Sequence, residues 1–269
     1  MKRLLLSFLV LLFFLSGCSF PSTTPPPEST PTEENDLRFD GRRYFFDGNA
    51  ENFRAEADCF TILTGGVYRV SGTLTEGSLR VCAPADQVVH LIFDGVSIAS
   101  SYHSPLFLEE AASVVLELAD GTVNRLTDAA RSEDGTGALP VGCLSANCDL
   151  ILRGGGTLCV SGRQDAALSV MGDLRLTDAV LSLSASSLGI FVRDRLLMDS
   201  GSLTVSASRT GIATDDATSS VGLLRVMGGR LVISATETAL HASGEILVKN
   251  AEVSLRAPKK YDAPKVTAP

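Results

Sequence analysis

Between residues 150 and 256 the hydrophobic and polar positions repeat in one register. Each unit opens on an apolar residue, Leu150, Leu174, Leu196, Leu224 and Ile246, at intervals of 24, 22, 28 and 22 residues. In the last four units a second apolar pair follows seven and nine residues on: Leu181 and Leu183, Leu203 and Val205, Leu231 and Ile233, Val253 and Leu255. The extra glycine of "GGG" at 154–156 shifts the first unit's pair by one, to Leu158 and Val160. A third pair closes each turn: Leu168 and Val170, Ile190 and Val192, Ile212 and Thr214, Leu240 and Ala242. Alternation with a period of two is the strand signal. Three short strands per unit, at a period near 22 residues, is the signature of a solenoid. No window shows sustained helical spacing, and the units are rich in Ser, Thr, Val and Leu. One unit alone cannot bury its inward face, whereas stacked units can. The pattern predicts an all-β chain folded as a parallel β-helix, a three-strand solenoid. A β-sandwich would also supply many short strands, but it would not explain the three-strand register.

Residues 60–128 alternate less regularly and read as looser units of the same solenoid. The blocks "FTILTGGVYRVSGTLTEGSLRV", "LIFDGVSIASSYHSPLFLEEAASVVLELADGTVNRLTD" and "CLSANCDLILRGGGTLCVSG" closely resemble a carbohydrate-binding family of cell-surface parallel β-helices known for binding cellulose and pectic acid. The resemblance runs from about residue 60 to about residue 258, and "ADGTVNRLTD" is its most specific part. It implies a right-handed, pectate-lyase-like β-helix, non-catalytic polysaccharide binding and bound calcium. That family typically has Asn-Asp-Gly before the third strand. This chain has Asp165-Ala166-Ala167, Ser187-Leu188-Gly189, Arg209-Thr210-Gly211 and Glu237-Thr238-Ala239 there.

The amino terminus follows different rules. Met1, Lys2 and Arg3 precede an almost purely apolar run over residues 4–15, then "LSGC" ending at Cys18. This is a signal peptide, too short to be a stop-transfer span, and "LSGC" resembles the bacterial lipoprotein box, which makes Cys18 the lipidated residue. The next stretch, "SFPSTTPPPESTPTEEN", is nearly free of apolar groups and reads as an extended tether. The expected organisation is a signal peptide at 1–17, a tether at 18–36, a carbohydrate-binding β-helix at 37–258 and a disordered tail at 259–269. The expected location is extracytoplasmic, with the chain held at the bacterial cell membrane through its lipid alone.

Charge narrows the partners. The chain carries 23 basic and 31 acidic residues, a net charge of −8. Removal of Lys2 and Arg3 with the signal would leave 21 against 31. That field disfavours nucleic acid and anionic membrane surfaces, and polyanionic sugars unless divalent cations bridge them. A monomer is expected. Past Cys18 the cysteines are Cys59, Cys82, Cys143, Cys148 and Cys159. Their odd number leaves at least one thiol unpaired, and they read as small buried thiols with at most one disulfide. No CxxC pair suggests a zinc site.

Outward positions are where ligands can be met. The second strand presents a hydroxyl-rich ladder that includes Ser182, Thr204, Ser184, Ser206 and Ser234. The third strand is more varied, and its outward residues Phe191, Arg193, Asp215 and His241 are the expected polysaccharide contacts, with the Phe191 ring stacking on a sugar. Each turn into the first strand carries an acid: Asp149, Asp173, Asp194, Asp215 with Asp216, and Glu245. These acids form either a solvated edge or, at Asp194, Asp215 and Asp216 in the 28-residue unit, a calcium site. No GxSxG, HExxH or P-loop pattern occurs, and His90, His103 and His241 have no nucleophile motif beside them. The expectation is therefore a binding protein. A polysaccharide lyase and a purely structural or adhesive solenoid are the alternatives, because lyases share this fold.

Overall fold

The computed structural model describes residues 34–129, 141–215 and 222–269. Within these residues the chain forms 27 strands and one short 3-10 turn, Ala50–Asn52. Strands of successive coils pair in parallel, and the result is a parallel β-solenoid. The apolar anchors read from the sequence are ladder partners. Leu150 pairs with Leu174, Leu174 with Leu196, Leu196 with Leu224, and Leu224 with Ile246. Leu158, Leu181, Leu203, Leu231 and Val253 form the second ladder, and Leu168, Ile190, Ile212 and Leu240 the third. Most of these side chains are removed from solvent in one continuous core, as the period-two pattern requires.

The third strands form a separate 10-stranded sheet, whereas the first and second strands merge into one of 17. The merger occurs in the irregular amino-terminal coils. Strand Val88–Ser100 is long enough to occupy both positions, pairing with Ser113–Leu118 at its start and with Val123–Asp128 at its end. The bend between those halves leaves the Val96 N–H in the interior. The fully buried Asn124, from "TVNRLTD", accepts that N–H at 2.9 Å, and its own amide donates to Thr122 Oγ1 and to the Thr157 carbonyl. One side chain thus ties together three coils, which gives that block of sequence a structural reason.

Corners between first and second strands need a residue with positive φ. Gly201 supplies it at 89°, and an added Cβ there would lie 2.4 Å from the Ala179 carbonyl oxygen. In other coils Asp178 and Asn250 supply it, at 58° and 51°. Asp and Asn are the non-glycine types that tolerate this region best.

Two boundaries differ from expectation. Residues 34–36 belong to strand Glu34–Gly41 rather than to a tether, because this strand pairs both with Gly66–Leu74 and, antiparallel, with Arg43–Asp47. That hairpin and the antiparallel pair Phe53–Glu56 with Cys59–Ile62 pack the rings of Phe39, Tyr44, Phe46, Phe53 and Phe60 together. At the other end, 259–269 is not a disordered tail. Strands Lys259–Asp262 and Lys265–Thr267 continue the solenoid, with Tyr261 beside Leu240 and Val266 beside Ile246. The segment looks too polar for a strand because its apolar ladder positions are reduced to Tyr261 and Val266, set among Lys259, Lys260 and Lys265. Cys59, Cys82, Cys143, Cys148 and Cys159 carry no disulfide. Burial pushes the Cys148 thiol up to about 11, which keeps it protonated and unreactive. Cys18 and the expected signal peptide lie outside the described residues.

Candidate functional site

The outer face of the third-strand sheet is built from one residue per coil. Pairing places Thr61, Arg80, Phe107, Ser145, Ser169, Phe191, Ala213, His241 and Asp262 in a single row. Neighbours in this row are separated by the interstrand spacing of about 4.8 Å. The expected contacts Phe191 and His241 lie in this row, and Arg193 and Asp215 lie just past the ends of strands Leu188–Val192 and Thr210–Thr214.

The row does not bring those four together as a sugar platform. Phe191 is only 7% exposed, because Leu188, Ala213, Ala166 and the flank of Met171 pack on it. Its ring is therefore core to a small outer cluster and is not free to stack on a ligand. Burial of an outward residue depends on which neighbours fold over it, and alternation alone does not report that. The Arg193 guanidinium lies 3.3 Å from the Met171 sulfur. His241 is held at 3.1 Å by Asp262, which also pairs with Lys259 at 2.6 Å. Those two partners, Lys259 first, hold the Asp262 carboxyl below the usual carboxylate range. Asp215 is exposed.

The expected calcium site rests on three carboxylates, of which Asp216 lies outside the described residues. Among the described residues no three His, Cys, Asp or Glu side chains converge on one metal position, and Asp194 and Asp215 are two of the three residues expected to hold the ion. Much of the acidic edge is tied to neighbouring coils. Asp173 pairs with Arg195, Glu245 with Arg225 at 3.4 Å and with Lys265 at 2.6 Å, and Asp149 accepts the Asp173 N–H at 2.9 Å. On the first-strand face Arg175 is likewise committed to Asp199 at 2.7 Å.

A concavity on the third-strand face lies nearer the amino terminus, over Arg80, Phe107, Ser145 and Ser169. It is a cleft of about 520 Å³, lined also by Cys59, Ser78, His103, Ser104, Val141, Ala146, Asn147 and Met171. Its floor is tied across coils. Ser78 Oγ donates to the Ser104 carbonyl at 2.6 Å, and Ser104 Oγ donates to the Gly142 carbonyl at 2.7 Å. The Gly142 N–H donates in turn to Ser145 Oγ at 3.1 Å. The Arg80 guanidinium lies 5.5 Å from the centre of the Phe107 ring and is paired with Glu109. That pairing raises Arg80 and holds the Glu109 carboxyl low. Sequence reasoning passed over Phe107, although it stands between the inward Leu106 and Leu108. The units around it vary in length, so its place in the row could not be aligned with that of Phe191.

A solved polysaccharide lyase-like protein from C. thermocellum superposes with a TM-score of 0.77 at 22% identity, over 88% of this chain and 100% of that one. A carbohydrate-binding domain-containing protein of Acetivibrio thermocellus is 28% identical over 188 residues, which is 68% of this chain and 65% of that protein's length. A family model described as carbohydrate-binding domain-containing protein matches residues 56–267, nearly the whole solenoid. The chain belongs to that carbohydrate-binding domain-containing family.

Proposed function

We propose that this chain binds polysaccharide without cleaving it, outside the cytoplasmic membrane, anchored through a lipid on Cys18. The observation that carries the reading is the family match over residues 56–267. The cleft supports it, because it joins an aromatic ring, a thioether and several hydroxyls on a floor tied across coils, the mixture that suits the apolar faces and polar rims of sugars. A plant cell-wall glycan, cellulose or pectic acid, is the ligand class that fits the family. A lyase reading draws on the fold neighbour, whose own description is lyase-like, and fold alone does not carry chemistry.

Pull-down of the full chain on insoluble glycans, together with the appearance of unsaturated sugar products in solution, separates the readings. Retention without product is expected. Accumulating product would replace binding by catalysis, and no retention on any glycan would leave a structural solenoid. The anchor has its own test. Cys18→Ser should move the protein from the membrane fraction to the soluble fraction, since a lipid chain is then missing and a tethered soluble domain remains. Continued sedimentation of full-length Cys18→Ser with membranes would remove the lipoprotein from the proposal.

A further inference from the structure

The cleft's own chemistry narrows the ligand further, on the assumption that the chain binds polysaccharide at all. We infer that the cleft over Phe107 takes a neutral sugar chain, directly and without a bridging metal ion. Three observations converge on this. No Asp or Glu is among the described residues that line the cleft, although acids outnumber bases by 31 to 23 in the chain. A hard cation needs several converging oxygens, mostly carboxylates, and this lining offers none of those. The one arginine among the described lining residues, Arg80, already has its charge matched by Glu109, so a uronate carboxylate would have to compete with a partner in place. The protein's net charge of −8 further opposes a polyanion that arrives without calcium.

What remains suits an uncharged sugar. Phe107 and Met171 supply apolar surface for the C–H face of a ring. His103 stands in the turn entering strand Leu106–Glu110, and Asn147 stands just after strand Gly142–Ala146. The two therefore lie at opposite ends of the strands that form the floor. Both are exposed, and their side chains make no hydrogen bonds among the described residues. They are placed to meet hydroxyls on either rim of a chain lying between them. The serines beneath are already bonded to one another's coils, so the floor needs little ordering on binding, and a preformed floor loses less entropy when it is occupied.

The test is calorimetric titration of the full chain with cellohexaose, xylohexaose, mannohexaose and hexagalacturonate, each in EDTA and in millimolar calcium. At least one neutral hexamer is expected to bind equally in both buffers, with hexagalacturonate weaker in EDTA. Asn147→Ala and His103→Ala, both at exposed positions, should each weaken the neutral ligand by roughly five- to tenfold, the scale of one lost hydrogen bond. Phe107→Ala should weaken it more, and Phe107→Leu, which keeps apolar bulk for the fold, should rescue the melting temperature but not the affinity. Binding confined to hexagalacturonate, binding that requires calcium, or neutral binding untouched by all three alanine variants would each overturn this inference and leave polysaccharide binding standing. Failure of every hexamer, together with failure of retention on insoluble glycans, would overturn both.

Discussion

At the scale of single residues, this fold is written in the exceptions to its repeat. Thr214 occupies an inward position between Val192 and Ala242, is fully buried, and its hydroxyl has no hydrogen-bond partner among the described residues. A buried polar group left unsatisfied costs about 1–3 kcal/mol, and valine has nearly the same shape without the hydroxyl. Thr214→Val should therefore raise stability by about 1 kcal/mol, seen as a higher denaturant midpoint with an unchanged slope; a lower midpoint would show that the hydroxyl is satisfied in solution. The sequence marked Thr214 as inward because it stands where the other coils have Val192 and Ala242. It could not mark the hydroxyl as unpartnered, since that depends on what surrounds it. The same limit hid Phe191, whose outward direction was legible and whose cover by Leu188 and Met171 was not. Asn124 is the reverse case: the motif around it was legible, and its role in satisfying Val96 became visible only once the bend in Val88–Ser100 was known.

At the scale of strands, the register from 150 to 258 was legible because each coil rewrites the same spacing, so an error in one unit is corrected by the next. Leu203 shows the consequence. It lies between Leu181 and Leu231 in the second ladder, 1% exposed. Neighbouring coils hold it on both sides, so the space left by truncation cannot close easily. Leu203→Ala should cost about 2–5 kcal/mol, read from urea unfolding; an unchanged midpoint would contradict the ladder. The first coils were harder to read. Strands Gly66–Leu74 and Val88–Ser100 each serve two positions and shift register between Ser71 and Gly72, which erases the corner that punctuates later units. The strands beyond 258 were missed for a related reason, since Lys259, Lys260 and Lys265 mask a pattern whose apolar content has shrunk to Tyr261 and Val266.

At the scale of the whole molecule, acids and bases alternate between coils more than their totals suggest. Arg69 bridges Glu34 and Asp94, Arg153 meets Glu117, Arg175 meets Asp199, Arg195 meets Asp173, and Arg230 meets Glu252. These pairs link residues roughly one coil apart, so they run parallel to the solenoid axis beside the hydrogen-bonded ladders. Most are solvent-exposed, and an exposed pair contributes about 0–1 kcal/mol. Their combined signature should appear in acid. Glu109 is held low by Arg80, Asp262 by Lys259 and then His241, and Glu76 by the Ser101 N–H. Each of these carboxyls binds its proton more weakly folded than unfolded. The stability they confer is therefore complete above the ordinary carboxylate range, near pH 4, and is lost as pH falls through their depressed folded values. The melting temperature should stay flat from about pH 6 to 8 and fall below about pH 4. Salt at about 1 M should shrink the part of that fall due to exposed pairs, because the screening length drops to about 3 Å. Glu109→Gln tests the assignment. It removes a titrating carboxyl but keeps a hydrogen-bond acceptor near Arg80, so the variant should be less stable at neutral pH and lose less on acidification. An acid limb as steep as that of the parent would place the proton-linked stability elsewhere along the solenoid.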